Sequence, residues 1–307
     1  MRLVFAGTPE AAVPSLRRIA GSGHELGGVV TRRDAPVGRR RILTPSPVAQ
    51  VAAELGIPTI KADRLDAAAT AAVAELAPDL GVIVAYGGLV REPLLSTPRL
   101  GWINLHFSLL PRWRGAAPVQ RALIAGDGVT GASVFQLVPE LDAGDVFGEL
   151  RYPVPAGATA GDVLDALAHS GADLLLGVVD ALSDGTARSV PQIGEPTLAP
   201  KLTAEDGLLD WREPSESVLA RISGVTPEPG AHTTVAGARL KVLSASGGTG
   251  DGPVLAPGAI AAEGSEVWIG TASEPILLET VQPAGKGPMR AADWFRGLRL
   301  DAPLAGS

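Results

Sequence analysis

The sequence predicts an α/β protein in two parts, a doubly wound and mostly parallel sheet followed by a small antiparallel barrel. Through the first half of the chain, short apolar runs alternate with helical segments, which is typical of parallel strands joined by crossover helices. Residues 189–202 then contain three prolines and a glycine, as expected of a linker. Beyond Leu208, short β runs separated by Gly, Pro and Asp clusters favour a small barrel.

The predicted strands of the first half are short apolar runs bounded by turn residues, at 2–7, 26–31, 79–86, 101–106 and 131–137. The run DLGVIVAY at 79–86 is nearly unbroken, which is typical of a strand buried on both faces. The predicted helices lie between these strands and after them, at about 10–20, 46–55, 67–76, 118–125 and 156–184.

In the second half, the sequence predicts a helix at about 214–223 and then four strands, HTTVAG, RLKVLSA, EVWIGTA and PILLETV. We therefore expect three regions: a first domain over 1–188, a linker over 189–207 and a second domain over 208–307.

Composition limits the chemistry available to this chain of 307 residues. It has no cysteine, and its four histidines are far apart, so neither thiolate chemistry nor a metal-ligand pattern is predicted. A net charge of −7 argues against a protein coated in basic residues for bulk nucleic-acid binding. The apolar runs are short, and the N-terminus lacks the long apolar stretch of a signal peptide. We expect a cytoplasmic protein that contacts no membrane and holds no metal.

Common nucleotide and hydrolase motifs are missing from the sequence. The first strand ends in FAGTPE, with the single glycine Gly7 where a dinucleotide site needs G-x-G-x-x-G. The sequence also has no P-loop and no G-x-S-x-G nucleophile elbow. These features predict an α/β enzyme without a nucleotide motif.

A first group of candidate catalytic residues lies in INLHFSLLPRWRGAAP, residues 103–118. On a strand, Asn104 and His106 share one face, as does Ser108 if the strand continues that far, at the carboxyl end where open α/β sheets bind ligands. An amide donor beside a titratable ring suits a reaction that builds charge on a carbonyl oxygen and moves a proton. The alternative is that His106 is only a partly buried polar residue at a strand end.

A second group lies in LVPELDAGDV, residues 137–146, a polar loop with Asp142 and Asp145. Because adjacent parallel strands bring their carboxyl-end loops together, we expect a carboxylate here to lie beside His106. It would orient the ring and favour its charged form. The alternative is that Asp142 is an ordinary turn aspartate.

These two segments together resemble the folate-dependent formyltransferase family. INLHFSLLPRWRGAAPVQRALIAGD followed by LDAGDV contains its signature, the Asn-x-His, the Ser-Leu-Leu-Pro and the aspartate of the loop. The resemblance extends over nearly the whole chain, through FAGTPE, VGRRRILTPSPV, VIVAYG, LLDW and VQPAGKGPM. The basic GRRR loop and QPAGKGPM favour the branch of the family that acts on tRNA.

The resemblance implies a Rossmann-like catalytic domain followed by an OB-like tRNA-binding domain. It implies formyl transfer from 10-formyltetrahydrofolate to the α-amino group of methionine on initiator tRNA, without a covalent intermediate or a metal, by a monomer. The positions that match the catalytic residues are Asn104, His106 and Asp142. The positions that match the folate-binding residues are Ser108, Leu109, Leu110, Pro111 and Tyr86. Three roles stay open for Arg112 and Arg114: binding phosphate, binding the folate tail, or plain surface.

A cluster of basic residues is the candidate tRNA contact. RRDAPVGRRR at 32–41 has five arginines and one aspartate, in a connection longer than usual between a strand and a helix. It is either a solvated loop in an arginine-biased chain or a clamp for tRNA phosphates. The resemblance favours the clamp and implies tRNA contacts by Arg39, Arg40, Arg41, Lys201 and Lys286. One departure is Glu228, where relatives often have a tryptophan between two prolines.

Two other functions compete with this interpretation. A formyltransferase acting on a small amine, such as an amino-sugar nucleotide or glycinamide ribotide, would need Asn104, His106 and Asp142 but not the arginine loop. A non-catalytic tRNA-binding protein would need the arginine loop but not the three catalytic positions.

Overall fold

The computed structural model describes residues 1–38, 40–248, 252–298 and 303–306. These form two compact units, and both are discontinuous in sequence. The first consists of 1–118, 129–153 and 164–199, and the second of 119–128, 154–163 and 200–307. The predicted boundaries at 188 and 207 assumed continuous domains and stay a prediction.

Eleven strands lie in the part of the chain up to residue 199 that the structure describes: β1 (Arg2–Gly7), β2 (Glu25–Thr31), β3 (Ala35–Val37), β4 (Ile42–Thr44), β5 (Thr59–Lys61), β6 (Leu80–Val84), β7 (Trp102–His106), β8 (Arg114–Gly115), β9 (Val129–Gln136), β10 (Val146–Pro153) and β11 (Leu198–Ala199). The α-helices of this part are α1 (Val13–Ala20), α2 (Pro47–Glu54), α3 (Ala67–Glu75), α4 (Pro118–Ile124) and α5 (Ala160–Ser183).

The main sheet has the order β10-β9-β7-β6-β1-β2-β5. The five strands from β7 to β5 pair in parallel, which confirms the predicted doubly wound, mostly parallel sheet. All five residues of β6 are buried, as its unbroken apolar run predicts for a strand covered on both faces. The strand order reverses between β1 and β6, the kind of position at which open α/β sheets bind ligands. The next strand, β7, contains the catalytic candidates Asn104 and His106.

Strand β9 does not run parallel to β7, contrary to what was predicted from the sequence. It pairs antiparallel with β7, with His106 opposite Ser133 and Ile103 opposite Gln136, so β9 ends beside the start of β7. A parallel pairing needs a crossover helix packed on the sheet. Here the connection contains α4, whose residues from Val119 onward belong to the second unit.

Helix α5 is long and apolar enough to cross a membrane by length and composition, with a mean hydropathy of 1.2 in its most apolar window. The sequence predicts no membrane span. Core helices of soluble proteins pass the same criterion. Buried residues recur on α5 at helical spacing, including Val163, Leu167, Leu175 and Val179, which is the pattern of a helix facing a core.

The second unit contains α6 (Ser215–Val225), α7 (Ala291–Arg296), β12 (His232–Val235), β13 (Ala238–Gly247), β14 (Ile260–Glu263), β15 (Glu266–Ile269), β16 (Ile276–Pro283), β17 (Met289–Arg290) and β18 (Ala305–Gly306). The strands pair antiparallel in the order β14-β15-β16-β13-β12-β18, and β17 pairs with β16.

The two edges of this second sheet meet. The Ala305 N–H donates to the Gly258 carbonyl at 2.8 Å, and the Ile260 N–H donates to the Pro303 carbonyl at 3.1 Å. These bonds join the β14 edge to the β18 edge around a core that includes Trp211, Val242 and Val281. The predicted small antiparallel barrel is therefore confirmed.

Candidate active site

Asn104 and His106 lie on β7 two residues apart, so their side chains leave the same face of the strand. Leu105 points to the opposite face, where it packs closely on Gly171 of α5. Asn104 is half-buried, and its amide has no hydrogen-bond partner among the residues that the structure describes. It is thus an available donor next to the histidine.

The imidazole of His106 is buried and has a polar neighbour at each nitrogen. Its Nε2 lies 2.8 Å from the Trp113 carbonyl oxygen. A carbonyl only accepts, so Nε2 has the proton in this contact. Its Nδ1 lies 3.9 Å from Asp142 Oδ2, which is ion-pair distance rather than hydrogen-bond distance. The ring edge also meets Phe135, with the centroids 6.4 Å apart.

Burial lowers the pKa of His106 below its ordinary value of 6.5, although the Asp142 charge and the Trp113 carbonyl both raise it. The Asp142 carboxylate does favour the charged ring, as predicted from the sequence, but burial has the larger effect and sets the net direction. Desolvation of a ring that is only 6% exposed outweighs a carboxylate that makes no direct hydrogen bond to it. At neutral pH the ring is therefore neutral, with Nδ1 able to accept a proton.

Asp142 is held in place by backbone groups. Its Oδ2 accepts a hydrogen bond from the Gly115 N–H at 2.8 Å, and the residue has a positive φ of 47°. Because β9 ends at the far end of β7, the loop 137–145 must fold back along the sheet to bring this carboxylate to His106. Asp145 is exposed, so of the two loop aspartates it is Asp142 that joins the site.

The segment 108–111 forms a tight turn after β7. The Ser108 hydroxyl donates to the Arg112 carbonyl at 2.7 Å, and the Leu110 N–H donates to Ser133 Oγ at 3.2 Å. The Ser133 hydroxyl donates in turn to the Ser108 carbonyl at 2.7 Å. The Ser108 hydroxyl is thus committed to shaping the turn, as a fully buried group must be.

Tyr86 is a core residue. Its ring is 1% exposed, and its hydroxyl donates to the Ala62 carbonyl at 2.6 Å. This side chain is therefore buried in the core, and the prediction that Tyr86 binds folate stays a prediction. A sequence pattern does not distinguish a tyrosine at a site from one whose hydroxyl is satisfied inside the core.

The arginine-rich segment contains a short hairpin, β3 paired with β4, which the sequence analysis did not predict. Arg40 and Arg41 are exposed in its turn, and Arg39 lies outside the described residues. The hairpin also exposes Ile42 and Leu43, at 62% and 68%. In the second unit, Lys201 and Lys286 are both exposed.

Two residues near the site were missed because they lie in the segment predicted to be a linker. The Gln192 side-chain amide donates to the carbonyls of Asp142 and Gly144, at 2.8 and 2.9 Å. The Thr197 hydroxyl accepts from the Trp113 N–H at 2.9 Å. The sequence of a Pro-rich segment with isolated polar residues does not distinguish a segment that hydrogen-bonds to the site from a free linker.

The structure also narrows the open question about the two arginines. The Arg114 guanidinium donates to Gln192 Oε1, with Nη2 at 2.6 Å and Nε at 3.2 Å, so it has a structural partner. The Arg112 guanidinium lies over the Trp113 ring, 5.3 Å from its centroid. Among the described residues, no group of three or more His, Asp or Glu side chains is arranged to hold a metal ion.

Comparison with known proteins identifies the family. The formyl transferase family model matches residues 1–179, and the model of the formyl transferase C-terminal domain matches residues 201–299. A protein of Clavibacter sepedonicus named methionyl-tRNA formyltransferase is 64% identical over 99% of this chain and 100% of its own length. A protein of the same name from Leifsonia xyli subsp. xyli is 61% identical over the same shares.

The fold has a counterpart among solved structures. An N-formyltransferase from Helicobacter canadensis, in complex with folinic acid and dTDP-3-aminofucose, superposes with a TM-score of 0.69 at 16% identity, over 92% of this chain and 98% of that chain. Since both parts of the sequence match formyl transferase models and full-length relatives exceed 60% identity, this chain belongs to the formyltransferase family, alongside the methionyl-tRNA formyltransferases of these bacteria.

Proposed function

We propose that this protein transfers the formyl group of 10-formyltetrahydrofolate to the α-amino group of methionine on initiator methionyl-tRNA. The product is the formylmethionyl-tRNA used in translation initiation. The observation that best supports the reaction is the placement of Asn104 and His106 on one face of β7, with the Asp142 carboxylate 3.9 Å from the ring. The acceptor follows from the full-length relatives, which are named for it.

The reaction forms one C–N bond and breaks another. The methionine nitrogen attacks the formyl carbon, and the resulting tetrahedral intermediate has negative charge on oxygen. Collapse expels the folate nitrogen, which takes up a proton equivalent to the one lost by the amine. We assign the stabilisation of this oxygen to the Asn104 amide. We assign the proton transfer to His106, which starts neutral and becomes cationic beside Asp142. Each such role contributes about 10²–10³ in rate.

For the donor, we assign the turn Ser108–Pro111 to folate binding. Its hydroxyl and backbone groups hold a fixed shape at the carboxyl end of β7, so it would contact folate through backbone and the half-buried Leu109. Because the side chain of Tyr86 is buried, we assign its folate contact to the backbone of this residue.

For the acceptor, we assign tRNA contacts to Arg39, Arg40 and Arg41 and to two lysines of the second unit, Lys201 and Lys286. The described members of this set are exposed, as phosphate-binding side chains must be. We further propose that 1–188 act as the catalytic domain and 208–307 as the OB-like tRNA-binding domain, joined by 189–207, in a cytoplasmic monomer.

The catalytic assignment is tested with His106→Ala, compared with His169→Ala at an exposed position. We expect turnover with methionyl-tRNA to fall by at least about 10² in the first variant, because it removes the proton-transfer group. Folate binding, followed by tryptophan fluorescence, should be largely kept in both. Turnover near that of the parent protein in His106→Ala would reject the assignment.

The acceptor assignment is tested by offering methionyl-tRNA, a dTDP-amino sugar and glycinamide ribotide with the same formyl donor. Formylation should occur on methionyl-tRNA alone at micromolar enzyme. If either small amine is formylated efficiently and the tRNA is not, the assignment of the acceptor is wrong, while the assignment of formyl transfer stands.

A further inference from the structure

Both polar neighbours of the His106 ring are held by one stretch of chain, residues 190–199, which we call the strap. The ring lies between the Trp113 carbonyl and the Asp142 carboxylate. Neither neighbour is in the strap, but each is hydrogen-bonded to it, and all of these residues belong to the first unit.

The Trp113 side is fixed through a single peptide group. The carbonyl of the Trp113–Arg114 peptide accepts from His106 Nε2 at 2.8 Å, and the N–H of the same peptide donates to the Thr197 carbonyl at 2.8 Å. In a trans peptide, the C=O and N–H point in opposite directions. Fixing the N–H on Thr197 therefore aims the carbonyl at the ring. The Thr197 hydroxyl holds the preceding N–H, that of Trp113, at 2.9 Å.

The Asp142 side is fixed through the Gln192 amide. Its Nε2 uses both protons, on the Asp142 and Gly144 carbonyls, and its Oε1 accepts from the Arg114 guanidinium. Gln192 thus joins the loop of Asp142 to the segment that supplies the Gly115 N–H to the Asp142 carboxylate. Because both N–H donors and the oxygen acceptor of the Gln192 amide are used, this amide connects specific groups of the site and is not a free surface group.

The strap is itself anchored at both ends. Val190 and Val146 exchange two backbone hydrogen bonds, of 2.8 and 2.9 Å. At the other end, the Ala199 carbonyl accepts from the N–H groups of Ala116 and Ala117, at 2.9 and 3.1 Å. Gln192 and Thr197 therefore act from a backbone that is fixed on either side of them.

We propose that Gln192 and Thr197 are positioning residues of His106, each holding one of the two groups that face its ring. This inference rests on the proposed function where turnover is concerned. Its structural content, the orientation and titration of the ring, can be measured without any substrate.

The first test measures steady-state kinetics on the full-length protein. Gln192→Met removes the donors and the acceptor at similar length, and Thr197→Val removes the hydroxyl at similar shape. We expect kcat to fall by about 10- to 100-fold, since small displacements of a catalytic group have effects of this size, with KM for the folate donor within about twofold. Thr197→Ser, which restores the hydroxyl, should recover most of kcat. Ile193→Ala, at a strap position 90% exposed, is the matched control and should leave kcat unchanged.

The second test follows the imidazoles by NMR in protein labelled with ¹⁵N-histidine. With four histidines in the chain, His106→Asn identifies the His106 signals by their loss. Parent protein should show the Nε2–H tautomer and a depressed titration midpoint. Gln192→Met should move that midpoint, because the Asp142 charge is displaced. Thr197→Val should alter the Nε2 shift, because the Trp113 N–H loses its hydrogen-bond partner and the residue whose carbonyl faces the ring is held less firmly.

The outcomes separate the two proposals. Unchanged His106 signals in both variants, or a loss of kcat matched by an equal loss of folded protein, would overturn the positioning role. Absence of formyl transfer in the parent protein would overturn the proposed function, while the NMR comparison would still decide whether the strap sets the state of the ring.

Discussion

The three polar residues of the site differ in hydrogen bonding, burial and charge. Asn104 has an amide without a protein partner among the described residues, His106 is buried and neutral, and Asp142 has one oxygen held by a backbone N–H. The arrangement leaves the donor free for a substrate oxygen. It keeps the carboxylate near enough to stabilise a cationic ring once a proton arrives.

Because the Asn104 amide makes no bond to the described residues, Asn104→Ala should separate function from stability. We expect turnover to fall by about 10²–10³, as for loss of an oxyanion donor. The free energy of unfolding in urea should change by less than about 0.5 kcal/mol, since the residue is only half-buried. The matched comparison is Gln136→Ala, whose amide donates to the Trp102 carbonyl at 3.0 Å. That variant should lose stability, and equal stability losses in the two would contradict the role given to Asn104.

The lowered pKa of His106 predicts how stability depends on pH. The unfolded chain protonates this histidine near pH 6.5, while the folded state resists it, so stability falls as pH drops below about 6.5. Asp79, Asp162, Asp206 and Asp210 have lowered pKa values, so their contribution is lost only below about pH 3.8.

Between pH 7.5 and 5, urea unfolding should therefore show a larger stability loss in the parent protein than in His106→Asn, which has no ring to protonate. Parallel pH profiles for the two proteins would show that the ring is not held neutral.

At the scale of elements, the close approach of β8 and β11 depends on a glycine. Gly115 has a φ of 127°, and a Cβ there would lie 2.7 Å from the Ala199 carbonyl oxygen. Gly115→Ala should therefore cost about 1–3 kcal/mol of unfolding free energy and displace the N–H that holds Asp142. Gly23→Ala, where a Cβ would meet nothing within 4 Å, is the control and should be nearly neutral. Similar urea midpoints for both variants would contradict this account.

Hydrophobic periodicity was sufficient to predict four of the five parallel strands, the main helices and four strands of the barrel, because burial on one or both faces leaves a direct pattern. It did not predict the short parallel strand β5 or the barrel strand β14. It also did not predict the direction of β9, because an apolar run gives the same pattern in a parallel and in an antiparallel strand. The contacts of Gln192 and Thr197 were missed as well. Single polar residues in a segment without periodicity give no pattern, and their partners are distant in sequence.

For the molecule as a whole, a net charge of −7 makes local basic groups decisive for tRNA binding. Replacing Arg40 and Arg41 with alanine should flatten the dependence of log KM for methionyl-tRNA on log salt, by about 0.7–0.9 for each phosphate that the variant no longer neutralises. The KM for folate should not change. Arg18→Ala, at an exposed residue already ion-paired with Asp173, should leave the slope as it is. An unchanged slope in the hairpin variant would reject its role.

The strap also determines when the active site can become complete during synthesis. The Trp113–Thr197 hydrogen bond joins residues 84 positions apart, and the Arg114–Gln192 bond joins residues 78 apart. Such distant contacts are expected late, after the cost of closing the intervening loop is met. A nascent chain released at residue 179, where the first family match ends, would already contain Asn104, His106 and Asp142. It would lack the residues that orient them, so an excised catalytic fragment must extend through Ala199 to retain the strap.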